Sequence, residues 1–81
     1  MSEPASATDT LDRMQSGDHG TVARLEGDPA VRRRLMELGL VPGTPIELIR
    51  RAPLGDPSEL AVRGVHLSLR RTEACLIHVA R

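Results

Sequence analysis

Glycine and proline punctuate this chain so closely that only short elements fit between them. Gly17, Gly27, Gly39, Pro42-Gly43, Pro53, Gly55, Pro57 and Gly64 each read as a stop or a turn. One interval carries the marks of a helix. Asp28 is a strong N-cap, Pro29 suits the first helical position, and Val31, Leu35 and Leu38 draw one apolar stripe before Gly39 ends the run. The other intervals favour strands. Thr21-Val22 lead into Leu25, Ile46 and Leu48 flank Glu47, a run extends from Leu60 to Arg63, and Val65, Leu67 and Leu69 alternate with His66, Ser68 and Arg70. A last strand covers 76–79, and Thr72 is placed to cap a single turn before it. Four or five short strands cannot bury a flat face, so the pattern predicts a mainly β chain curled into a small barrel, with one helix inserted after the first strand.

The chain has 81 residues, enough for one domain. Residues 1–10, made of small, polar and acidic residues after Met1, read as a disordered tail. The domain is expected over residues 11–81, starting where Leu11 and Met14 share one helical spacing. The single cysteine permits no internal disulfide. At this length a core supplies only about 3–5 kcal/mol, which makes a homo-oligomer or a bound partner a useful addition. No apolar stretch approaches the roughly 20 residues that cross a bilayer, and the N-terminus lacks a secretory pattern. The expected location is the cytoplasm.

Composition closes several functions. Phe, Tyr and Trp are absent. Stacking of single-stranded nucleic acid and aromatic-lined grooves for proline-rich peptides are therefore excluded. The 11 acids balance 11 arginines with no lysine, so the basic excess of a duplex-DNA binder is missing and no nucleic-acid partner is expected. The balance conceals a split: residues 1–28 carry a net charge of −4 and residues 29–81 carry +4. A basic body of this kind can steer onto an acidic partner.

Three groups of residues are candidate sites. On the helix, steps of 100° per residue put Arg32, Arg33 and Met36 opposite the Val31 stripe. Met and Arg are enriched at interfaces, so these three with Leu40 just beyond the helix form a candidate partner-binding face. The alternative is that Met36 folds back on the barrel, the arginines are only solvated and Leu40 belongs to the core. Cys75 and His78 stand three apart, and His66 lies on a strand that can run beside them. Thiolate and imidazole suit a soft or borderline metal, yet three scattered ligands make a poor structural site, and a buried free cysteine is the ordinary outcome. No metal or cofactor is therefore assigned within one chain; a site shared by two chains stays open. Catalysis has no support: Asp56 and Glu59 lie in a turn-rich segment, and the glycines do not form a phosphate-binding run.

The order of Arg33-Arg34-Leu35-Met36-Glu37-Leu38-Gly39-Leu40, Pro42-Gly43, Ala52-Pro53-Leu54-Gly55-Asp56-Pro57, Arg63-Gly64, Leu67-Ser68-Leu69-Arg70-Arg71 and Glu73-Ala74 resembles the FeoA family. The likeness runs from about Leu11 to Val79. It implies an SH3-like barrel and a non-enzymatic, regulatory role in ferrous iron uptake, exerted by docking on the cytosolic part of FeoB, the permease with a GTP-binding domain. The protein would then sit at the inner membrane through its partner. The same barrel closes iron-dependent repressors, which makes a metal-sensing module the alternative reading.

Overall fold

The Asp28-Pro29 signal is realised as a capped helix in a computed structural model of the chain, which describes residues 8–54 and 56–81. Helix α1 spans Pro29–Glu37, and the Asp28 carboxylate accepts the Val31 N–H at 3.0 Å. At its other end Gly39 adopts φ +101°. The Gly39 N–H donates to the Met36 carbonyl at 2.9 Å and the Leu40 N–H to the Leu35 carbonyl at 3.1 Å, the paired bonds of a Schellman turn. Leu35 and Leu40 are both buried, in keeping with the apolar contact that frequently accompanies such a turn.

Six strands form one antiparallel sheet in the order β1-β6-β2-β3-β4-β5. They are β1 Thr8–Thr10, β2 His19–Leu25, β3 Pro45–Arg51, β4 Ser58–Val62, β5 Val65–Leu69 and β6 Ile77–Ala80. A four-residue helix, α2 (Arg71–Ala74), joins β5 to β6. Register shifts between Val22 and Arg24 in β2 and between Leu48 and Arg50 in β3 mark bulges, which sharpen the twist that curls a sheet. Alternate residues of the strands face inward: Ile46 and Leu48, Leu60 and Val62, Ile77 and Val79 are buried together.

The mainly β architecture with one principal helix matches the reading from alternation. The N-terminal boundary differs, and with it the place of α1 in the order. Thr8–Thr10, assigned to the disordered tail, are a strand: Thr8 pairs with Ala80 and Thr10 with His78. The tail's composition carries no core signal, and its order comes from backbone hydrogen bonding to the outer side of β6. With this extra strand counted, α1 follows the second strand rather than the first. The remaining tail, residues 1–7, lies outside the described residues. Leu11 and Met14 are fully buried on a 3-10 turn (Leu11–Arg13), and the Arg51 guanidinium donates to the Asp12 and Met14 carbonyls to hold that turn against β3.

Gly20 marks the tightest approach in the barrel. A Cβ built there overlaps Val79 Cγ1 on β6 and comes within 3.0 Å of the Ala80 carbonyl oxygen. Gly20→Ala is therefore expected to lose about 1–3 kcal/mol through overpacking, read as a lowered urea midpoint with an unchanged slope.

Candidate docking surface

The helix presents its charged side as the 100° step requires: Arg32, Arg33 and Met36 are exposed, Met36 by 43%. Arg32 donates to the Gly27 carbonyl at 3.1 Å, which fixes it along the start of α1. Arg33 has no carboxylate within ion-pair distance among the described residues. Leu40 corrects the expected face. It is 0% exposed, because the Schellman turn folds it back onto Leu35, and it is unavailable to a partner. Leu38 takes the opposite correction. Assigned to the buried stripe, it caps the helix and is 41% exposed.

Leu38 opens onto a cleft of about 460 Å³ that the sequence alone did not reveal. Arg34 and Leu38 form one wall, and Ser68, Leu69, Arg70, Thr72 and Glu73 form the other. Glu73 ties the two walls together. One carboxylate oxygen accepts the Arg70 N–H at 3.0 Å, the other accepts the Arg34 guanidinium, and the Glu73 side chain is largely buried. Arg70, not Thr72, is the residue that opens α2, with Glu73 at the third helical position. The signal for this was present as Arg70 followed three residues later by Glu73. Nothing in the sequence told that Arg34, 39 positions away, completes the bridge.

The three metal candidates are not brought together. His66 lies on β5 and His78 on β6, with β4, β3 and β2 between them in the sheet. His78 Nε2 sits 3.0 Å from Glu26 and 3.4 Å from Arg24. Cys75 is exposed rather than buried, its thiol 3.4 Å from the Thr72 carbonyl that accepts from it. Among the described residues no three His, Cys, Asp or Glu side chains converge as a metal site. The two acids of this region are also engaged: Asp56, in the β3–β4 connection, accepts the Arg71 N–H at 3.0 Å, and Glu59, on β4, lies 3.7 Å from Arg50. The described residues contain no helix long and apolar enough to cross a membrane.

Comparison with known proteins adds four findings. The FeoA domain model matches residues 10–81. The chain is 36% identical over 69 residues to a Fe(2+) transport protein A/Fe(2+) transporter FeoB fusion protein from Porphyromonas gingivalis, covering 85% of this chain but only 8% of that relative's length. Its fold superposes on the solution structure of a FeoA protein from Chlorobium tepidum with a TM-score of 0.82 and 46% identity, over 89% of this chain and 69% of that one. A manganese-dependent transcriptional repressor shares the fold at TM-score 0.82 but only 24% identity, over 90% of this chain and 41% of that one.

Two outcomes follow for this surface. Glu73→Ala removes both a helix-terminal hydrogen bond and the Arg34 bridge, and is expected to cost about 0.5–2 kcal/mol, more than Arg34→Ala, whose guanidinium is largely solvated. The Cys75 thiol is expected to react with a thiol-specific disulfide reagent, one equivalent per chain, in the native state and without denaturant.

Proposed function

Because this chain belongs to the FeoA family, we propose that it is an accessory protein of ferrous iron transport that docks on the cytosolic part of a FeoB-type permease and modulates Fe²⁺ import. The fused relative carries the proposal: there a segment similar to 85% of this chain is covalently part of the same molecule as a Fe(2+) transporter FeoB. Two modules joined in one chain are held at high effective concentration, which is useful when they act in contact. A separate chain doing the same work needs a docking surface of its own. The exposed Met36 beside Arg33 on α1 supplies an apolar anchor and an unpaired cation of the kind enriched in interfaces.

The mechanism is modulation by contact. The protein binds one conformational or assembly state of the permease better than another and so shifts their populations. It needs no reacting group of its own. The membrane location follows from the partner. The alternative, a metal-sensing barrel related to the repressors, has the shared fold in its favour, while three strands separate His66 from His78 and, among the described residues, no three ligands converge.

Met36→Glu tests the docking face. The variant is expected to keep the wild-type circular dichroism spectrum and melting temperature, because Met36 lies outside the core, while losing co-purification with the full-length permease. Association of the wild-type chain is expected to weaken as salt rises from low to physiological strength, since arginine contributes to it. A folded Met36→Glu protein that binds as well as wild type would refute this face. Stoichiometric binding of Fe²⁺ by calorimetry would favour the sensor reading instead.

A further inference from the structure

β5 ends the sheet, and among the described residues no strand pairs with its outer edge. Val62 and Val65 are paired across a two-residue turn in which Arg63 and Gly64 have φ of +53° and +79°, the signature of a type I′ hairpin. In that hairpin Val65, Leu67 and Leu69 exchange their backbone hydrogen bonds with β4, so the N–H and C=O groups of His66 and Ser68 point away from the sheet. Among the described residues no other backbone or side-chain group hydrogen-bonds to His66 or Ser68. Edge strands are ordinarily protected by charge, proline, a bulge or brevity. β1, at the opposite edge, has three residues and carries Asp9. β5 has five residues, no charge, no proline and an unshifted register, and Val65 is 56% exposed on it.

The Arg34–Arg70 cleft continues from the C-terminal end of this edge, since Ser68 and Leu69 belong to both. Its charge is one-sided. Glu73 is its only acid and is already held by Arg34 and the Arg70 N–H, while no carboxylate lies within ion-pair distance of the Arg70 guanidinium among the described residues. A chain without a single aromatic residue has no groove for polyproline peptides. Strand addition along an unpaired backbone edge needs no aromatic groove.

We propose that the outer edge of β5 and the adjoining cleft bind a short extended peptide segment bearing carboxylates. Backbone hydrogen bonds to His66 and Ser68 supply the pairing, and Arg70 in the cleft selects acidic over basic residues. This site is separate from the Met36 face, which does not line the cleft.

The test uses the full-length protein and two capped pentapeptides, one alternating valine with glutamate and one alternating valine with lysine. With the glutamate peptide in excess, the His66 and Ser68 amides are expected to exchange with deuterium at least about tenfold more slowly, while the lysine peptide leaves them unchanged. Arg70→Glu is expected to invert that preference. A glutamate peptide methylated on alternate amide nitrogens, which removes its donors without touching the protein's fold, is expected to lose binding. Met36→Glu is expected to bind the glutamate peptide like wild type even where permease association is lost, so the two sites fail independently. Unchanged exchange at His66 and Ser68 in millimolar glutamate peptide overturns the proposal. So does equal binding of the two peptides. Protection of those amides that appears with protein concentration alone, together with a doubled mass, overturns it in favour of pairing between two copies of this chain.

Discussion

The left-handed turn at Gly39 carries the chain from helix to barrel, and its hydrogen bonds govern both the core and the surface. The Gly39 and Leu40 amides close on Met36 and Leu35, which forces Leu40 under the helix. That one packing event orients α1 against the sheet. With Leu35 inward, Met36 and Arg33 must face out, and Leu38 is left at the lip of the cleft. A residue with a side chain at position 39 would need the same positive φ, which only glycine adopts without strain. The exposed face of Arg33 and Met36 and the position of Leu38 at the cleft therefore both depend on one helix ending.

The arginines divide by what the fold asks of them. The run Arg32-Arg33-Arg34 reads as a single basic patch, yet Arg32 lies against the Gly27 carbonyl and Arg34 bridges to Glu73. Arg51 is drawn inward to hold the turn at Leu11–Arg13. These arginines serve the structure through the planar fork of donors that a guanidinium offers to carbonyls and carboxylates. Arg33 and Arg70 lack such partners among the described residues, and they sit on two different surfaces. A molecule of zero formal net charge thus retains localised cationic points where a partner can read them.

Much of the architecture was legible beforehand because local chemistry determined it. Asp28, Pro29 and Gly39 bound a helix by satisfying or omitting its terminal hydrogen bonds. Alternation placed Ile46, Leu48 and Leu69 inward. The differences arise where a distant segment decides or where a helix ends. Thr8–Thr10 carry no apolar pattern and are ordered by backbone pairing to β6, which composition does not register. Leu38 and Leu40 exchange roles because a period of 3.6 residues does not continue past the last helical turn. Cys75, expected in the core, is exposed: it caps the end of α2 on the outer side, and Ala74 and Ile77 take the interior positions.

By itself the sequence determined the kinds of element, their order and the exclusions that follow from having no aromatic residue, no lysine and one cysteine. It also placed Arg32, Arg33 and Met36 on one outward side of a helix, since that depends only on helical geometry. Tertiary structure decided which polar groups meet: Glu73 with Arg34, Arg51 with the turn before β2, His78 with Glu26 and not with His66. It alone created the cleft and, among the described residues, left the β5 edge unpaired. The reason is physical. Capping and periodicity act over a few residues, whereas strand order and contacts between residues some forty positions apart are settled only when the whole sheet closes around a shared core.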